Sequence, residues 1–333
     1  MMKKSAVVLT LVVFLLVFAF AGCNAAEGQE VDASADTVAE QEVVSETAEP
    51  VEIGFIVGNQ TMDFFLNMQQ GVMDAVAEGD KISTYSFDDD PTKQSGIFED
   101  LIVKDVDVII TSILDAESVY ASLVKAQEAG IPVILLDGYP TAEDQQDLYV
   151  CTVVNDLYGA GYQHGKMLCE AIGGQGEIGY IWIAGLPDVS NQRIYGFQDA
   201  VAEYPDVEIV AYTEINGVDT ETCLNAISAQ LQVHPEIDAY FTPWANAGLA
   251  AVTALAAAGM EDVELAIIDM DATLGQYIVD GKVLTCMDLN SYGMGQKAME
   301  LAYQYLAGEE ITDKVYKIQT IPVTADNVAD YLE

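Results

Sequence analysis

Residues 53–78 read IGFIVGNQTMDFFLNMQQGVMDAVAE, and the outline of this stretch returns farther along the chain. The apolar run from Ile53 to Val57 predicts a short strand, and Gly58-Asn59-Gln60-Thr61 predicts a turn. Phe64, Phe65, Met68, Val72, Ala75 and Val76 then fall on one face at helical spacing. From Ile178 the chain reads IGYIWIAG, and from Gly196 it reads GFQDAVAE. Gly54 and Gly71 are 17 residues apart, as are Gly179 and Gly196, so the two copies sit at a constant offset of 125. The chain is therefore expected to hold two similar α/β halves.

The same rhythm continues on either side of each copy. In the first half, strands are predicted over 51–57, 81–87, 106–113, 132–137 and 148–154, with helices near 64–78, 92–104 and 116–129. In the second, strands are predicted over 177–183, 207–213, 239–243, 263–269 and 283–289. Helices there fall near 156–172, 190–204, 219–232 and 245–258. A helix over 291–306, a strand over 315–323 and a short helix opened by Thr324-Ala325-Asp326 close the chain. The fourth strands match as well, PVILLD ending in Asp137 and ELAIID in Asp269. The run VDVIITSI is apolar on both faces, as a strand buried inside a parallel sheet must be. Right-handed crossovers then give a doubly wound parallel sheet in each half. Ligands of such sheets bind beyond the carboxyl ends of the strands, and two facing halves make a cleft.

Length and composition agree with two domains. A chain of 333 residues with 51% hydrophobic and 20% charged residues can bury two cores. Residues 1–22 read as a secretory signal: Lys3 and Lys4 precede an apolar run from Ala6 to Phe20 that is too short to span a bilayer comfortably. Phe20-Ala21-Gly22-Cys23 is similar to a bacterial lipobox, which predicts lipidation at Cys23. Residues 23–50 are rich in acidic and small residues, which predicts a disordered tether. The formal charge of −42 becomes −44 once Lys3 and Lys4 leave, ten basic residues against 54 acidic. Such a surface repels nucleic acid and disfavours anionic ligands. The cysteines at 151, 169, 223 and 286 fit no metal motif; Cys151 and Cys286 lie in apolar strand-like runs and Cys169 and Cys223 in helical ones, so buried free thiols are expected.

With these features in place, the chain resembles the type I periplasmic binding proteins, most of all the ribose/galactose-type sugar-binding lipoproteins of ABC importers. The resemblance is carried by IGFIV, DFF and GVMDAV, by AGIPVILLDG, by GYIWIAG with RIYGFQDAV from Arg193, by HPEIDAYFTPWANAGLAAVTAL, and by IPVTADNVADY. It implies a lobe of 51–154 with 289–319 and a lobe of 155–288 with 320–333, joined by three hinge strands. It also implies site residues: Phe64 and Phe65 to stack on a sugar, Asp137 to accept from its hydroxyls, and Arg193 to hold two oxygens. The second-lobe acid is Asp269 by the internal repeat or Asp271 by the string DMDAT. Polar family positions fall on Met62, Ser112, Trp244 and Leu289, Trp244 being expected to form an apolar wall. Gly138 stands where the ribose type has an arginine, so a more aromatic pocket is expected.

The partners so implied are a small sugar-like molecule, an ABC permease and ATPase, and the membrane through a lipid on Cys23, with no nucleic acid and no cofactor. A monomer at the outer face of the cytoplasmic membrane is expected. An enzyme is disfavoured, since His164 and His234 lie away from the predicted strand ends and no HExxH, GxSxG or P-loop occurs. A sensory lipoprotein that presents its ligand to a chemoreceptor or histidine kinase is the alternative.

Overall fold

The computed structural model of the chain describes residues 50–113, 116–140, 142–183 and 188–332; the predicted signal, Cys23 and nearly all of the tether lie outside these residues. The first half runs β1 (Glu52–Val57), α1 (Asp63–Asp74), β2 (Lys81–Ser86), α2 (Pro91–Val103), β3 (Val108–Ser112), α3 (Ala116–Ala129), β4 (Val133–Leu136) and β5 (Cys151–Asn155). The second half runs α4 (Leu157–Ala171), β6 (Gln175–Ile183), α5 (Asp188–Val201), β7 (Asp206–Ile215), α6 (Thr220–Val233) and β8 (Ala239–Thr242). It continues through α7 (Ala245–Ala258), β9 (Glu264–Ile268), α8 (Ala272–Val279) and β10 (Thr285–Asp288). Then α9 (Ser291–Leu306), β11 (Val315–Ile318) and β12 (Ile321–Val323) close the chain.

Two sheets form among the described residues. One has the order β11-β5-β4-β3-β1-β2 and is parallel throughout. The other, β12-β10-β9-β8-β6-β7, is parallel except that β12 runs antiparallel to β10. The orders are the same when β1–β5 are laid on β6–β10, which is the internal repeat seen as topology. Val108, Ile109 and Ile110 are almost wholly buried, as two-sided cover requires.

The described chain passes between the sheets three times, and the passages are tied together. The Asp156 amide donates to the Ile318 carbonyl at 3.0 Å, and Lys317 Nζ lies 3.7 Å from Asp156 Oδ1. Asn290, in the left-handed region at φ 54°, donates from Nδ2 to the Gln319 carbonyl at 3.1 Å. Each passage into a helix also exchanges elements. α4 follows β5 of the first sheet yet packs in the core of the second with Ile178 and Phe197. α9 follows β10 of the second sheet yet packs in the core of the first with Ile53 and Met68.

Three elements differ from expectation. Helix α1 stops at Asp74 instead of 78, since the chain turns through Gly79 at φ 99° to enter β2. The strand expected over 315–323 is two strands, because Gln319 and Thr320 carry the chain from one sheet to the other. Helix α8 was not expected; Asp271 Oδ1 caps it by accepting from the Leu274 amide at 2.8 Å.

The four described cysteines are buried free thiols. His164 on α4 is wholly buried beside Phe241, and neither ring nitrogen has a well-aligned hydrogen bond. Burial holds its pKa down to about 3, the Cys286 backbone offsetting only part of that. Because the folded value is depressed, the unfolded chain takes up this proton first as the pH falls below 6.5, the ordinary value. His164→Leu is therefore expected to lose less of its melting midpoint than the parent between neutral pH and about pH 4, the parent's deficit growing by up to about 1.4 kcal/mol per pH unit. Parallel pH-dependent loss in the two proteins would remove His164 as the cause.

Candidate functional site

The carboxyl ends of the fourth strands carry the charge of the site. β4 ends at Leu136 and β9 at Ile268, and the aspartate after each adopts a left-handed backbone: Asp137 at φ 62° and Asp269 at φ 82°. Such a conformation disfavours most side chains by about 1 kcal/mol, and a short polar residue tolerates it best. The Asp137 amide is fixed to the Val153 carbonyl at 3.0 Å. Asp269 Oδ2 accepts from the Ala245 amide at 3.0 Å, where the amino end of α7 favours negative charge.

Arg193 of α5 stands between these acids. Its Nη1 donates to the Pro243 carbonyl at 2.5 Å, while its buried Nε has no hydrogen-bonding partner among the described residues. Its charge acts on Asp269 within its own lobe and on Asp137 in the other. Burial nevertheless dominates at both carboxyls, pushing Asp137 up to about 7 and Asp269 above its ordinary value. Burial likewise lowers the Arg193 pKa, with the two acids opposing it.

A cavity of about 350 Å³ opens beside Asp137. Gly138 and Tyr139 line it from the first lobe, Asn155 and Lys317 from the passages, and Tyr158 and Gln192 from the second lobe. A larger hollow, about 530 Å³, lies at the other end of the first sheet between Pro132, Val150 and Lys314, where it touches neither Asp137 nor Arg193.

The residues singled out from sequence are only partly brought together. Asp137, Arg193 and Asp269 share one electrostatic cluster. Asp271 is spent on capping α8, which leaves Asp269 as the acid beside Arg193. Phe64 and Phe65 meet edge to face at 5.3 Å and are half-buried against the first core. The Phe65 ring lies over Gly58, where an added Cβ would sit 2.6 Å from it. Trp244 is half-buried, 6.2 Å from Trp182, and its buried indole N–H has the Cys223 thiol as its polar neighbour, without a well-aligned hydrogen bond. Ser112 is 1% exposed at the end of β3, and its buried hydroxyl has no partner among the described residues; of the expected site residues, Asp137 alone lines the cavity. Tyr139, Tyr158 and Gln192 were missed. Gln192 could have been found as the neighbour of Arg193, whereas nothing in the local pattern marks the tyrosines.

Two α/β lobes facing across a cavity at the carboxyl ends of their strands, joined by three short passages, define a capture protein for small molecules. The model of the periplasmic binding protein domain matches residues 53–310, and the chain belongs to that family. It is similar to the ribose import binding protein of Salmonella typhimurium, 26% identical over 268 residues that cover 79% of this chain and 87% of that one. It is also 26% identical to the D-ribose/D-allose-binding protein of Pseudomonas aeruginosa, over 80% of this chain and 86% of that one. Among solved structures, an ABC transporter periplasmic solute binding protein from Actinobacillus succinogenes with bound D-allose aligns at a TM-score of 0.72 and 27% identity. That alignment covers 84% of this chain and all of the other. The fold is the two-lobed type I form.

Proposed function

We propose that this chain captures a small neutral sugar or sugar-like polyol between its lobes and delivers it to an ABC importer. The observation that carries this reading is the cavity of about 350 Å³ shared by both lobes, with Asp137 on one wall and Arg193 reaching toward that acid from the other lobe. Carboxylate acceptors beside a guanidinium suit a ring of hydroxyls, and flanking aromatic faces suit its C–H surface. A net charge of −42 argues against an anionic ligand. The named relatives bind ribose and allose, and a xylitol-binding protein of Mycolicibacterium smegmatis is 26% identical over 272 residues.

In this reading the ligand touches both lobes and shifts them toward a closed form, which the importer recognises. The proposed lobes are 51–154 with 289–319 and 155–288 with 320–333, a division supported by the membership of the two sheets. The proposed mature chain acts as a monomer held to the outer face of the cytoplasmic membrane by a lipid on Cys23. The support for that anchor is the apolar run and Phe20-Ala21-Gly22-Cys23.

Thermal shift against D-ribose, D-allose, L-arabinose, xylitol and myo-inositol tests the ligand class. At 100 times its dissociation constant a specific ligand stabilises the folded state by about 2.7 kcal/mol, enough to raise the midpoint by several degrees. At least one member of the panel is expected to do so. A shift with amino acids or nucleotides and none with any sugar or polyol overturns the reading.

A further inference from the structure

Helices α4 and α5 approach each other more closely than side chains allow. A Cβ on Gly161 of α4 would lie 1.7 Å from the Arg193 carbonyl oxygen, and one on Gly196 of α5 would lie 2.0 Å from the Tyr158 carbonyl oxygen. Both obstacles are backbone, so no rotamer change relieves them. The first lobe builds the same contact between α9 and α1: a Cβ on Gly295 would lie 2.2 Å from the Met68 carbonyl, and one on Gly71 would lie 2.0 Å from that of Tyr292. Met68 and Arg193 are themselves 125 residues apart, so they occupy the same place in the repeat. In the first lobe that place holds a fully buried core methionine, whereas in the second it holds the arginine of the site.

We infer that Gly161 is a positioning residue for Arg193: its bare backbone lets α5 sit deep enough for the guanidinium to bond the Pro243 carbonyl at the carboxyl end of β8. The helix that carries Gly161 starts directly after the passage out of β5, where Asp156 Oδ1 accepts from the Gly159 amide at 3.2 Å. The Arg193 side chain is thereby indexed to the passage between lobes and not to the second sheet alone. To accept a Cβ at Gly161, α5 must retreat by more than 1 Å or α4 must leave its place at the passage. Either movement draws the guanidinium away from the facing lobe.

The inference rests on Arg193 facing the cleft, and its test needs no ligand. Titration of the Asp137 carboxyl by NMR in the ligand-free protein reads the nearness of the Arg193 charge, which lowers the Asp137 pKa. Gly161→Ala and Arg193→Ala are both expected to raise it, by about half a unit or more. Gly165→Ala is expected to leave it in place, since a Cβ there presses on Ala200 and Phe197, one turn farther along. A folded Gly161→Ala with an unmoved Asp137 overturns the inference. So does an equal rise in Gly165→Ala, which would mean general loosening of the lobe. A Gly161→Ala chain that does not fold, judged by circular dichroism, reduces Gly161 to a purely structural part. An unmoved Asp137 in Arg193→Ala shows instead that the arginine does not face that acid, and takes the inference down with the site.

Discussion

Arg193→Ala is expected to weaken sugar binding by at least tenfold. Among the described residues no group satisfies the buried Nε of the guanidinium, and its charge acts on acids of both lobes. A hydrogen bond from a charged donor contributes about 1.5–3 kcal/mol, and each tenfold in affinity is about 1.4 kcal/mol. Loss of one or two such bonds therefore weakens binding by about 10- to 100-fold or more. The ligand-free variant is expected to be less stable than the parent, since the Pro243 bond is gone and two partly buried carboxyls lose their counter-charge. That loss is smaller in mild acid, where Asp137 can take up a proton. Calorimetric titration beside melting curves at two pH values reads both effects. Unchanged affinity in a well-folded variant would remove Arg193 from the site.

The second large effect is a pH dependence of binding set by Asp137. Its carboxyl is held near 7 in the ligand-free protein, mainly by burial. Ring hydroxyls donate to the carboxylate form and so favour the ionised state. Binding below that pH must first remove a proton, so affinity is expected to rise up to tenfold per unit as pH climbs from about 5 to about 7, and to level off above. Asp137→Asn keeps a carbonyl acceptor but cannot titrate, so its profile is expected to be flat, with the largest deficit on the alkaline side. Stability of the ligand-free protein runs the other way for this group. A raised folded pKa makes Asp137 stabilising at the acid end, and that contribution is lost as pH rises from the ordinary 3.8 through about 7. The site is thus least strained when it binds least well. A parent protein whose affinity is level across this range would exclude Asp137 as the acceptor.

Much of this architecture was legible in the residues. The two glycine pairs spaced by 17 gave the repeat, and the repeat gave matching strands ending in Asp137 and Asp269. What periodicity marks is burial on one face, which is why strands and long helices emerged while α8, only eight residues long, did not. Its start was written in Asp271, a capping residue followed by Leu274, and the same fact would have settled which acid lies beside Arg193. The helix packing could not be foreseen. Gly161 and Gly196 read as ordinary helix-weakening residues until the path of the neighbouring backbone is known. Ser112 and Trp244 mark the limit of a place matched by resemblance: it says little about which way a side chain turns once the strand end is packed.

The last strands have a consequence for how this chain comes into being. The first sheet is completed by β11 and the second by β12, and the first core also awaits α9 with Met294, Ala298 and Met299. A nascent chain emerges amino end first, and domains ordinarily fold as they appear. Here neither lobe has all its strands until residues 315–323 have been synthesised. Both finishing strands are edge strands, so each lobe gains its last pairing, β11 on β5 and β12 on β10, only after the strands it joins have been made.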